Sequence, residues 1–153
     1  MKQEKIWANT YKIKNTFMGR IPHDSDLLEQ INSFCMVNDI RSGIVNIIGA
    51  VKEARLGYYS QNRQNYRTLD GENLTGGLEI LSCTGNVSIK DGKPFAHLHL
   101  IVSDSQGNAL GGHLMPGTVV YAGEFIIQEF EGKDFIRGWD KTTGLPLWLP
   151  PED

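Results

Sequence analysis

Cysteine and histidine are scarce in this sequence, positive charge is not in excess, and no long apolar run is present. The two cysteines, Cys35 and Cys83, lie far apart, each in an apolar run and neither with a CxxC partner. That spacing argues against a thiolate zinc site and points to two buried, reduced thiols. Lys and Arg together number 15 against 18 Asp and Glu, a formal net charge of −3. Proteins that hold nucleic acid by general electrostatics neutralise phosphates with Lys and Arg, so this balance argues against such a role. No stretch approaches the roughly 20 apolar residues of a membrane span, and MKQEKIWANTYKIKN has no apolar core of signal-peptide length. The expectation is a cytoplasmic chain with no membrane partner. Hydrophobic residues at 40% and charged residues at 22% are ordinary for a globular protein, and the length predicts a single domain over residues 1–153.

Periodicity predicts an α+β fold: a predominantly antiparallel sheet with one main helix packed on it. Residues 5–18 read as one opening strand or two short ones. In IPHDSDLLEQINSFCMVNDI, Leu27, Leu28, Ile31, Phe34 and Cys35 form one apolar stripe after a cap at Asp24 or Ser25, which predicts a helix. Strand patterns follow at 43–52, 54–60, 78–89, 94–103, 108–115 and 118–130, separated by Gly, Asn and Asp turns. The polar stretch 61–77 reads as a short helix plus loop or a solvated connection, with Arg63, Tyr66 and Arg67 as possible ligand contacts. The proline-rich tail TGLPLWLPPED should lie extended across the body rather than continue a strand. His23, just before the helix, suits a surface or capping role.

Of the four histidines, three fall in FAHLHLIVSDSQGNALGGHLMPG. His97 and His99 are two apart on a predicted strand and so share a face. Phe95 and Ile101 lie on that face too, with Ala96, Leu98 and Leu100 on the other, which predicts a strand buried on both sides. DSQGN is a turn sequence. A hairpin centred on Gln106 sets His99 opposite His113, and directly opposed residues share a face about 5 Å apart at Cβ. Three imidazoles then meet at one point, a donor set suited to Zn²⁺ and equally to other divalent transition metals. A shift of one residue in the turn would send His113 to the other face, and without a metal these are hydrogen-bonded histidines. Glu79 and Glu124 interrupt apolar strands, and each either supplies a carboxylate to the site, as fourth ligand or catalytic acid, or faces solvent.

GGLEILSCTGNV and PFAHLHLIVSDSQGNALGGHLMPGTVVYAGEFII together resemble the plants-and-prokaryotes conserved domain. The likeness runs upstream through Arg20, the helix and LGYY, and downstream to FIRGWDKTTGLPLW. It implies a homotrimer, and a metal, usually zinc, on His97, His99 and His113. It also implies a fold similar to that of acetolactate decarboxylase, and by that analogy lyase or hydrolase chemistry on a small molecule, with Glu79 or Glu124 handling protons and Arg20 or another arginine a carboxylate. Plant relatives join the domain to a DNA-binding AT-hook and use a GRFEIL-like segment for protein contacts. Here that segment reads Gly77-Leu78-Glu79-Ile80-Leu81, without the Arg and Phe. The alternative function that the resemblance implies is a DNA-binding, transcription-associated regulator.

Overall fold

The structure, a computed structural model, describes residues 6–69 and 74–150. Parts of the expected opening strand, polar connection and tail fall outside those residues. The elements are β1 (Lys12–Ile21), α1 (Leu27–Val37), β2 (Gly43–Glu53), β3 (Leu56–Ser60), β4 (Asn65–Leu69), β5 (Thr75–Lys90), β6 (Lys93–Ser103), β7 (Ala109–Leu114), β8 (Val119–Glu131), β9 (Ile136–Asp140) and β10 (Leu145–Trp148). The fold is α+β. The strands form one 10-stranded sheet ordered β1-β8-β2-β5-β6-β7-β3-β4, with β9 joining β5 and β10 joining β9. Every pairing is antiparallel except β5 with β9. Among the described residues no helix is long and apolar enough to cross a membrane.

The helix covers one face of the sheet. Leu27, Ile31 and Cys35 are buried against a core that includes Val45, Ile47, Leu98, Leu100 and Ile127. Phe34 makes edge contacts with Phe17 and Phe125, and the Asn32 side chain accepts a hydrogen bond from Ala96 N at 2.9 Å, fixing the helix to β6. The cap is Asp26, not the expected Asp24 or Ser25: its carboxylate accepts from Glu29 N at 2.9 Å and from Gly117 N. The earlier candidates are engaged elsewhere. Ser25 Oγ donates to Pro22 O at 2.6 Å, and Asp24 has φ 60 and pairs with Lys52. Both cysteines are free and buried, and burial pushes each thiol up to about 12, so neither is a ready nucleophile.

Two segments depart from expectation. The stretch read as helix plus loop contains β4, which pairs with β3 through Tyr59 opposite Tyr66. All of β4 is exposed, so it lacks the apolar alternation that marks a half-buried strand. The tail forms β10, with Pro146 opposite Trp139. Proline has no N–H to donate, and the ribbon tolerates it because β10 pairs on one side only.

The other face of the sheet is open. A bulge on β5, where the register against β6 shifts between Ile80 and Ser82, turns both Leu81 and Ser82 outward. Arg20, Ile48, Glu79, Ile101, Glu124 and Ile126 also lie exposed. The expectation that β6 is buried on both sides is therefore not met within one chain: His99 and Ile101 are exposed, because among the described residues no helix crosses this face.

Candidate metal centre

The hairpin of β6 and β7 has the register expected from the sequence: His99 opposes His113 and Ser103 opposes Ala109. Asp104 holds the turn. Its Oδ1 accepts from Gln106 N at 2.8 Å and Asn108 N at 2.9 Å, and its Oδ2 from Asn108 Nδ2 at 2.9 Å. The same hydrogen bonds, that of the Asn108 side chain first, hold the carboxyl below its ordinary range. The turn thus keeps the register that decides which face His113 occupies.

The three imidazoles meet on the open face. Ring centroids lie 5.2 Å apart for His97 and His99, 5.0 Å for His97 and His113, and 5.5 Å for His99 and His113. One nitrogen from each lies within 4.8 Å of the others. Tetrahedral zinc at about 2.0–2.1 Å from each nitrogen would need its donors roughly 3.4 Å apart. Burial, then Arg137 and the neighbouring imidazoles, pulls His97 down to about 4. Burial, His99 and Arg137 do the same for His113, to about 4. Both rings are therefore neutral near pH 7, each with one unprotonated nitrogen. His113 Nδ1 is buried with no hydrogen-bond partner. Buried polar nitrogens are rarely left so, and three converging imidazoles, one with an unpartnered buried nitrogen, are a donor set that fits a divalent transition metal.

The strand behind the histidines is fitted closely. A Cβ on Gly85 would lie 1.8 Å from His97 O and 2.9 Å from Leu98 Cα, so only glycine lets β5 approach β6 here. Gly85→Ala is expected to cost about 1–3 kcal/mol through overpacking and to weaken metal binding by displacing His97. Chemical denaturation and a metal titration of the variant check both effects.

The structure brings a residue to the site that sequence reasoning had not singled out. Parallel pairing of β9 with β5 sets Arg137 beside Lys90, and Arg137 Nη2 lies 3.4 Å from His97 Nδ1. Burial pulls its pKa below the ordinary value, against an upward pull from Tyr66. The available signal was an arginine set among Phe135, Ile136 and Trp139, where a solvated charge is out of place. Tyr66, expected as a ligand contact, lies tilted against His113 with ring centroids 4.8 Å apart and lines the cavity that His97, His113 and Arg137 share. Arg63 and Arg67 are exposed.

Glu79 and Glu124 are not beside the histidines. Both point to solvent, so neither carries a burial cost. Glu79 opposes Ser103, four residues or about 13 Å along β6 from His99. Glu124 opposes Arg20 on β1 and Ile48 on β2, three strand spacings or about 14 Å from β6. His23 is exposed, with Nδ1 2.7 Å from Tyr121 O.

Fold and site together define a domain built on one large antiparallel sheet, helix on one face and clustered imidazoles on the other. The profile of the Plants and Prokaryotes Conserved (PCC) domain matches residues 8–131, and the chain belongs to that family. Among solved structures, a metal-containing protein from Archaeoglobus fulgidus is 36% identical, with a TM-score of 0.88 and coverage of 95% of this chain and 100% of that one. A plant- and prokaryote-conserved protein from Pyrococcus horikoshii is 33% identical, with a TM-score of 0.87 over 96% and 99% of the two chains. A Bacteroides thetaiotaomicron protein assigned provisionally to DNA binding is 28% identical, with a TM-score of 0.79 over 92% and 98%. A curated relative, the bifunctional protein GlmU of a Synechococcus strain, is 32% identical over 82% of this chain, and the match spans 19% of that protein's length.

Proposed function

We propose that this chain is a trimeric metal-binding domain whose His97, His99 and His113 hold a divalent transition metal, zinc first among them, where a small molecule can reach it. The observation that carries this reading is the convergence of three nitrogens within 4.8 Å of one another, one ring carrying a buried nitrogen without a partner. Likeness to the metal-containing protein from Archaeoglobus fulgidus supports it. With three protein ligands, the ion would supply Lewis acidity at an open coordination position. Glu79 and Glu124 share the open face with the histidines, but Glu79 lies four residues along the sheet from His99 and Glu124 lies three strands from β6. On this reading a carboxylate reaches the site from a neighbouring subunit, if at all.

Elemental analysis of purified protein, native against His97→Ala, is the direct test. We expect about one zinc per native chain, or an equivalent transition metal, and near none in the variant. Equal metal content in the two would remove the assignment.

Likeness to the Bacteroides thetaiotaomicron protein favours a second reading, DNA binding. The net charge of −3 weighs against it. Duplex binding that weakens steeply with added salt would support it.

A further inference from the structure

Beside His97 and His113 lies a cavity of about 160 Å³. Tyr66, Phe95, Leu145 and Leu147 contribute walls, and its charged side chains are both cations, Lys90 and Arg137; among the described residues no carboxylate lines it. Arg137 is half-buried and, among the described residues, makes no ion pair. Its hydrogen bonds go to neutral acceptors: Nε to Ser88 Oγ at 2.8 Å, Nη2 to Asn86 Oδ1 at 2.9 Å and to His97 Nδ1 at 3.4 Å, and Nη1 to Pro146 O at 3.1 Å. Its guanidinium carbon sits 5.6 Å from the Phe95 ring centroid and 5.5 Å from that of Trp148. Lys90 Nζ lies 4.9 Å from the Phe95 centroid, so two cations share one ring.

A cation held this firmly without a countercharge is costly unless an anion joins it. Guanidinium carries five N–H donors, and these four bonds leave one donor on Nη1 free. That N–H and the Lys90 ammonium can each bond one oxygen of a carboxylate. The volume admits about five water-sized groups at roughly 30 Å³ each, which suits an acid of two to four carbons, and the apolar walls suit its carbon body. Phosphate sites lean on backbone N–H groups at glycine-rich turns or helix N-termini, and among the described residues no glycine lines this cavity.

We propose that this cavity is a carboxylate subsite, in which Arg137, aided by Lys90, binds the carboxylate of a short organic acid beside the three imidazoles. This names the ligand class for the site proposed above and rests on that site for the acid's second contact. Arg137 and Lys90 still bind the acid in metal-free protein, more weakly.

Calorimetric titration of zinc-loaded and chelator-treated full-length protein with pyruvate, and separately with inorganic phosphate at matched ionic strength, tests it. Zinc content is measured on every sample. Pyruvate is expected to bind both forms of the native protein, more tightly than phosphate. Arg137→Met should weaken pyruvate at least tenfold and Arg137→Lys less. Lys90→Met, outside the hydrogen-bonded network of Arg137, should weaken it about threefold at unchanged zinc content. Native protein that binds zinc but takes up no pyruvate, or prefers phosphate, overturns the subsite while leaving the metal reading intact. Pyruvate bound by Arg137 in a protein that takes up no zinc upholds the subsite and removes the metal. Should Arg137→Met fail to fold, undiminished pyruvate binding by Lys90→Met and Arg137→Lys also overturns it.

Discussion

Replacing His113 with phenylalanine is expected to stabilise the metal-free protein and to abolish its metal binding, two effects of opposite sign from one change. His113 Nδ1 is buried without a partner, and an unsatisfied buried polar group costs about 1–3 kcal/mol. Phenylalanine removes the orphan, keeps a ring of similar shape, and keeps the aromatic contact with Tyr66, whose centroid lies 4.8 Å from that of His113. A net gain of about 1 kcal/mol would raise the melting temperature by roughly 2–4 °C in a chain of this length. The metal response should run the other way. Zinc at 100 times its Kd would add about 2.7 kcal/mol to the native protein, and a chelator would remove that increment. In His113→Phe, zinc and chelator should leave the melting temperature unmoved. Full zinc occupancy in His113→Phe would show that His113 is no ligand. A metal-free variant less stable than metal-free native protein would show that Nδ1 is satisfied in solution.

That pairing of effects follows from how the site is encoded. The hairpin was legible because its loop is symmetric about Gln106 and Asp104 ties both ends of it, so counting from the turn gave the face of His113. The helix was legible from one apolar stripe, and the strands from alternation between turn residues. Arg137 was not, because its place depends on a parallel pairing of β9 with β5 that no local pattern announces. Strand β4 was missed for a related reason: with every residue exposed, its partner selects it and its own hydrophobicity does not. The cap shifted to Asp26 because Gly117, far along the chain, supplies a second donor. Local periodicity carries what packing on one core requires; contacts made across the sheet are invisible to it.

The open face gives the second large effect. Met18 is 77% exposed, Ile48 59%, Leu81 54%, Ile101 44% and Ile126 39%. Register places Met18 opposite Ile126, and Ile48 lies in the step of the β2–β5 pairing where Leu81 bulges outward, so these side chains form a diagonal apolar band across β1, β8, β2, β5 and β6, with Asn46 opposite Ile126 and Glu124 opposite Ile48 at its edges. Isolated exposed apolar residues are ordinary, whereas a contiguous band marks a surface that another chain covers. On the trimer reading that chain is a second copy, and the native protein should run at three times the 17.1 kDa of one chain in light scattering. Ile48→Asp puts a carboxylate at the middle of the band, where association would strip its water without providing a partner. We expect the variant to run as a monomer at micromolar concentration with its fold intact, because Ile48 lies outside the core. Val37→Asp, at the end of the helix on the other face and 85% exposed, should stay assembled. Loss of the apolar surface from the interface should also lower the melting temperature of Ile48→Asp and make it independent of protein concentration, whereas an obligate assembly melts later as concentration rises. A native chain that scatters as a monomer, or an Ile48→Asp variant that assembles like the native protein, would place the subunit contact elsewhere and leave the band as bare surface.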